Sequence, residues 1–272
     1  MRLKDLKRIT DHYQAGESMP ALFVGHGNPM NAIEDNSFTR GWSDCAQDIP
    51  EPQAILCVSA HWETRGSFVT AMEKPKTIHD FAGFPQSLFD VQYPSPGAPE
   101  WAKEVQESVA SASIGLDYKW GLDHGTWSVL IKMYPNADIP VFQLSLDHFQ
   151  PASYHYALAE ELKALRKKGV LVVGSGNIVH NLRMANLRDE SQPYDWAIEF
   201  DALSKQLIEA GDHQALINYD RLGQAAQLSI PTPEHYLPLL YVLAMQSKTD
   251  TVSFFNEKIA FRSGSMRSVR IG

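Results

Sequence analysis

Three short runs along the chain are apolar at every position: Ala21-Leu22-Phe23-Val24, Ile55-Leu56-Cys57-Val58 and Val170-Leu171-Val172-Val173. A strand with one wet face alternates polar and apolar residues, whereas an unbroken apolar run suits a strand covered on both faces. A fourth run, Pro140-Val141-Phe142-Gln143-Leu144-Ser145-Leu146, is more alternating. Between these runs the apolar spacing lengthens to that of a helix. Pro99 opens one such stretch, with Trp101, Val105 and Val109 on a stripe. Leu158, Leu162 and Leu165 mark a second, stopped by Gly169, and Trp196, Phe200, Leu203 and Leu207 mark a third, stopped by Gly211. Strands alternating with helices predict an α/β fold: one domain, with a mixed, mostly parallel central sheet and helices on both faces.

No repeat, low-complexity tract or linker divides the chain. Residues 1–18 alternate charge with isolated apolar residues and are expected to form a surface extension containing a short helix, leaving 19–272 as the domain proper. Residues 72–99 are rich in proline and glycine and too long for a plain connection, which marks a functional loop.

Composition narrows the function classes. A hydrophobic content of 44% supports a sizeable core. The net charge of −8, from 24 basic and 32 acidic residues, argues against a nucleic-acid partner. No apolar run approaches the roughly 20 residues of a membrane span, and the N-terminus lacks the apolar core of a signal peptide, so a cytoplasmic protein without a membrane partner is expected. Cys45 and Cys57 form no CxxC pair and read as packed thiols of a reducing compartment.

The strand ends carry the candidate chemistry. The first run leads into Gly25-His26-Gly27-Asn28, the second into Ser59-Ala60-His61-Trp62, and the third into Gly174-Ser175-Gly176-Asn177 and on to His180. Ligands of open α/β sheets bind outside the carboxyl ends of the strands, so His26, His61 and His180 are expected on one rim. His235 lies between Pro233 and Pro238, in a rigid turn before the apolar stretch Leu239–Leu243, and His124 lies in the glycine-edged segment Asp123-His124-Gly125. His79 sits in the proline- and glycine-rich loop. His12, His148, His155 and His213 stand among polar or charged neighbours and read as surface residues. Taken singly, each of the first six fits a structural role as well as a functional one. Taken together they point to a metal site at the carboxyl ends of the strands, because imidazole is a common ligand for zinc and iron. No local ligand motif is present, so convergence has to come from the fold. Asn28, Ser175 and Asn177 suit either ligand orientation or ordinary turn chemistry. Trp62 and Trp127 read as core.

The segments GHGNPMNAIEDN, VSAHW, TIHDFAGFP, DHGTW, GSGNIVHNLR and PTPEHYLPLLYVL, in that order, resemble the 4,5-DOPA extradiol dioxygenase family of class III extradiol enzymes, related to the catalytic subunit of protocatechuate 4,5-dioxygenase. The resemblance covers residues 19–272. It implies an enzyme that inserts O₂ into a catechol such as L-DOPA to give a ring-opened semialdehyde, as a monomer or weak homo-oligomer with one divalent metal per chain. The resemblance makes His26, His61 and His235 metal ligands, and His180 an acid/base that can also approach the metal. His124 becomes a second catalytic histidine on the oxygen side. The family's protocatechuate members have glutamate where this chain has His235. An all-histidine set suits Zn²⁺ as the bound metal, with Fe²⁺ as the catalytic one, since zinc has no redox step. Phe81 and Phe84 are expected to wall the substrate pocket and His79 to hold the substrate's polar tail. A zinc hydrolase using Glu234 as base and a non-catalytic binding protein on the same fold are the alternatives.

Overall fold

The computed structural model describes residues 18–186 and 192–272. The helix expected near the N-terminus, and His12 with it, falls outside these residues. Among the described residues, strands β1 (Ala21–Gly25), β2 (Ala54–Thr64), β3 (Ser67–Thr70), β4 (Ile114–Asp117), β5 (Val141–Asp147), β6 (Val170–Gly176), β7 (Val252–Phe255), β8 (Ile259–Ala260), β9 (Gly264–Ser265) and β10 (Ser268–Ile271) follow one another along the chain. One sheet runs in the order β4-β3-β5-β2-β6-β1-β10-β7, and β8 and β9 pair as a separate hairpin. The four central strands β5, β2, β6 and β1 are parallel. Antiparallel pairs join β3 to β5 and β1 to β10 to β7. The result is a single α/β domain whose mostly parallel sheet is covered on both faces, as the apolar runs require.

The two sides of each run serve different layers. Phe23, Leu56, Val58 and Val172 face a layer that includes helices Ala152–Glu161, Asp195–Ala210 and Leu237–Ala244. Leu22, Val24, Cys57 and Val173 face helices Ser37–Gln47 and His124–Met133, through Trp42 and Trp127. Burial of a large apolar side chain contributes about 1.5–3 kcal/mol, so a polar residue on either side of these strands is disfavoured.

The alternation in β5 has a different cause from a wet face. All seven residues of the strand are buried. Gln143 donates from Nε2 to Asp123 Oδ2 at 2.7 Å and accepts from the Asp123 N–H at 3.1 Å. Ser145 accepts from the Phe68 N–H at 2.8 Å. The polar positions of β5 thus feed an internal network beneath the site.

Helix stops fall where the sequence puts them. Gly169 and Gly211 take φ of 85° and 69°, a region that disfavours any Cβ. The third helical stripe is rotated slightly from expectation: the buried face is Ala197, Phe200, Ser204 and Ile208, with Trp196, Leu203 and Leu207 half-buried beside it. His155 is a clear correction. It is fully buried, its Nδ1 paired with the Tyr241 hydroxyl at 2.9 Å, and burial pushes its pKa down to about 4. Its polar neighbours misdirect, because His155 shares the i, i+3, i+4, i+7 face with Leu158, Ala159 and Leu162. His213 is half-buried against the Tyr156 hydroxyl, whereas His148 is exposed. Among the described residues no helix is long and apolar enough to cross a membrane. Both cysteines are free thiols, and Cys57 is buried.

Candidate active site

Each functional side chain is delivered by a specific irregularity at the carboxyl rim. His26 follows β1 directly, and its N–H donates to the Gly176 carbonyl at 3.1 Å, tying the ends of β1 and β6. β2 continues past His61 to Thr64, but its pairing with β5 jumps from Val58↔Leu144 to Glu63↔Leu146. That bulge re-aims the intervening residues and turns His61 towards the rim. The turn carrying His235 crosses the end of β6, where the Asn177 N–H donates to the His235 carbonyl at 2.8 Å. Any Cβ at Gly176 would overlap that carbonyl, so this glycine is a steric requirement. His180 is held by its N–H on the Ser229 carbonyl at 2.9 Å and by a bridge to Gly264. His124 is the first residue of a helix capped by Asp123, where the sequence suggested only a glycine-edged loop.

The five histidines meet in one place. Ring centroids are 5.0 Å apart for His26–His61, 5.3 Å for His26–His235 and 5.0 Å for His61–His235. With metal–nitrogen bonds of 2.0–2.1 Å, two imidazoles on one tetrahedral ion have centroids about 5.2 Å apart and nitrogens about 3.3 Å apart. His26 Nε2 and His61 Nε2 are 3.2 Å apart. The ring spacing of His26, His61 and His235 is that of three imidazoles about one ion, while the ligand atoms group as His26, His61 and His124 and as His180, Glu234 and His235, each set within 4.8 Å. The other two rings sit differently. His124 lies 3.8 Å from His61 by centroid. His180 stacks on His235 at 3.4 Å and 11°.

Hydrogen bonds set which nitrogen faces inward. Ser175 Oγ donates to the Gly125 carbonyl at 2.5 Å, so it accepts from His26 Nδ1–H at 3.0 Å and leaves the Nε2 lone pair for the site. His235 Nδ1–H donates to Glu234 Oε1 at 3.0 Å. His124 Nδ1–H donates to Asp80 Oδ2 at 2.9 Å while its backbone N–H donates to Asp80 Oδ1 at 2.9 Å. The same carboxylate stands 3.6 Å from His61 Nδ1. Burial, reinforced by the neighbouring imidazoles, lowers the pKa of His26 and His235 well below the usual value. Burial, with His124 beside it, pushes His61 down to about 3, against the opposing pull of Asp80. Burial lowers His180 to about 4. All four are thus neutral at pH 7 with lone pairs to offer, the state a metal ligand needs. Burial raises the Asp80 carboxyl, but the His124 hydrogen bonds outweigh it and hold the group below the usual range.

A cavity of about 240 Å³ opens over this cluster, lined by His26, His61, His124, His180 and His235 and walled by Phe81 and Phe84. Those two phenylalanines meet edge to face at 5.3 Å. His79 is a correction: it stands behind Phe81, its Nε2 donating to the Val91 carbonyl at 2.9 Å, and does not line the cavity. Asn28 caps the turn after β1 by accepting from the Met30 N–H at 2.9 Å, so turn chemistry accounts for it, while Ser175 orients His26. Asn177 donates to the Ser265 carbonyl at 2.7 Å and leaves its buried Oδ1 without a partner among the described residues. Trp62 and Trp127 are core. Sequence reasoning missed Asp80 as the orienting group of His124; its only signal was its place beside His79 in the long loop.

Comparison with known proteins identifies the family. Residues 20–268 match the family described as the catalytic LigB subunit of aromatic ring-opening dioxygenase. A 4,5-DOPA dioxygenase extradiol of Escherichia coli K12 is 50% identical over 97% of this chain and 98% of its own. One of Beta vulgaris with the same name is 38% identical over 80% of this chain and 83% of its own. The crystal structure of an uncharacterized protein from Escherichia coli K12 superposes with a TM-score of 0.82 at 46% identity, covering 93% of this chain and 100% of that one. The chain belongs to the LigB family of aromatic ring-opening dioxygenases and is an enzyme of the extradiol type.

Proposed function

We propose that the chain cleaves the ring of a catechol such as L-DOPA with O₂, at one divalent ion held by His26, His61 and His235, giving a 4,5-seco-DOPA type semialdehyde. The observation that carries this reading is the trio of centroid separations, 5.0, 5.3 and 5.0 Å, around inward-facing imidazole nitrogens. When bound, Fe²⁺ supplies the redox chemistry that joins dioxygen to the catechol; Zn²⁺ fits the same donors without supplying it.

The remaining work falls to the chain's own side chains. Phe81 and Phe84 hold the aromatic ring against the histidine cluster and keep water out. His180, neutral and on the cavity wall, takes a proton from a catechol hydroxyl on an imidazole nitrogen and returns it later. His124, with Nδ1–H on Asp80, has Nε2 left to hold a proton toward charge developing on oxygen. Glu234 and Asp80 place carboxylates behind His235 and His124, so the negative charge lost with the family's glutamate ligand returns one bond further out. The hydrolase reading loses its base, because Glu234 Oε1 is engaged by His235 and by the Thr232 hydroxyl at 2.9 Å and does not line the cavity.

The decisive experiment loads anaerobic apoprotein with Fe²⁺ or Zn²⁺, adds L-DOPA and air, and follows oxygen uptake together with the yellow chromophore. Uptake with iron and none with zinc is expected. Zinc-dependent hydrolysis without oxygen uptake would replace this reading with the hydrolase. Asp80→Asn in the same assay is expected to lower kcat about 10–100-fold, the usual cost of losing an orienting carboxylate, with the metal content largely kept.

A further inference from the structure

A second cavity, about 610 Å³, adjoins the first and shares Asn28, Phe261 and Met266 with it. The two differ in chemistry. Among the described residues the inner cavity is lined by no ionisable side chain apart from the histidines, and its 240 Å³ falls below the roughly 300 Å³ at which pockets for drug-sized ligands begin. It suits one aromatic ring. A charged tail left inside it would be buried without a partner, which is strongly disfavoured. The outer cavity, in contrast, is bounded by Glu34, Lys258 and Arg262.

Phe261, which lines both cavities, is held in a fixed hairpin tip at their shared edge. Phe261 and Arg262 form the tip of the β8–β9 hairpin with φ of 53° and 66°, a conformation unfavourable for side chains of that size. The tip persists because it is clamped. The Phe261 carbonyl accepts from the Asn186 N–H at 3.2 Å, and the Arg262 carbonyl accepts from the Tyr194 N–H at 3.1 Å. The Arg262 guanidinium lies 4.3 Å over the Tyr194 ring. In the outer cavity, Glu34 and Lys258 are both exposed, and neither makes an ion pair among the described residues. The outer cavity thus presents one anionic side chain, Glu34, and two cationic ones, Lys258 and Arg262, the last of which is engaged with Tyr194.

We propose that this outer cavity seats the charged tail of a catechol bearing an amino-acid side chain, with Lys258 meeting the carboxylate and Glu34 the ammonium. The proposal rests on the ring-cleavage reading for the inner cavity and adds the specificity residues for the tail.

The test compares L-DOPA, 3-(3,4-dihydroxyphenyl)propionate and 4-methylcatechol on the iron-loaded full chain. It adds calorimetric binding of the same three ligands to the zinc-loaded protein, where no turnover is needed. In Lys258→Ala the ratio of kcat/KM for either carboxylated ligand to that for 4-methylcatechol falls about fivefold, the scale of one partly exposed ion pair. The change sits in KM, and the calorimetric affinities shift by the same ratio. Lys258→Glu shifts it further. Glu34→Gln lowers the ratio for L-DOPA but not for the propionate. Ratios that stay constant in these variants, in both turnover and binding, overturn the tail seat. Absence of oxygen uptake with every catechol sinks the ring-cleavage reading, and the zinc-form binding ratios still decide the tail seat on their own.

Discussion

Single replacement of His26, His61 or His235 by alanine strips the protein of its divalent ion, whereas His124→Ala leaves the ion in place. Losing a carboxylate that merely orients a ligand costs roughly 10–100-fold in metal affinity, so losing a ligand is expected to cost more than about 100-fold. The contrast matters because the structure offers two ways to group these rings. By ligand atoms, His26 and His61 cluster with His124. By ring geometry, they match His235, at 5.3 and 5.0 Å, while His124 stands 5.9 Å from His26 and only 3.8 Å from His61. A ring 3.8 Å from its neighbour leaves no room for both nitrogens to lie at tetrahedral angles about one ion. His124 is held in that position by Asp80, which accepts from both its Nδ1–H and its backbone N–H. Metal analysis after dialysis, with circular dichroism to check that each variant folds, reads the result directly. An ion lost from His124→Ala and retained in His235→Ala would assign the third ligand to His124 and make His235 the pocket histidine.

The fold was legible because both faces of a buried parallel strand must be apolar. That requirement marked Leu22–Val24, Leu56–Val58 and Leu171–Val173 from residue type alone, and the layers on either side of the sheet now use alternate residues of each run. The rim histidines were legible for a related reason: a polar residue ending such a run needs a use. What stayed hidden was whatever depended on long-range partners. Gln143 and Ser145 showed only as an alternation in the fourth run, because their hydrogen bonds go to Asp123 and Phe68, remote in sequence. His155 looked exposed because local charge outweighed the helical period that buries it beside Tyr241. His79 and Asp80 are neighbours in one loop, yet a turn of the backbone sends His79 to Val91 and Asp80 to His124. Sequence adjacency cannot tell which of the two reaches the site.

His180→Ala is expected to keep the metal and lose turnover by about 10²–10⁴-fold, the usual contribution of a positioned acid/base. The argument begins with the stacking. An imidazole lone pair lies in the plane of its ring, so the lone pairs of two rings 3.4 Å apart and 11° from parallel lie in separate, nearly parallel planes, and an ion in the plane of His235 lies out of the plane of His180. If His235 points at an ion, His180 points beside it, into the space where a catechol hydroxyl would sit. Burial holds His180 near pKa 4, so at neutral pH the ring is uncharged and one of its nitrogens is free to take a proton. Having taken it, the ring becomes a stronger acid than free imidazole and gives the proton back readily. Substitution by alanine removes this exchange while leaving the four remaining imidazoles, the Ser175 hydrogen bond that orients His26 and the phenylalanine wall untouched. Catechol binding under anaerobic conditions should therefore persist in the variant, with the loss confined to kcat. Loss of the ion together with activity would instead make His180 a fourth ligand, with the stacked arrangement giving way when the ion is bound.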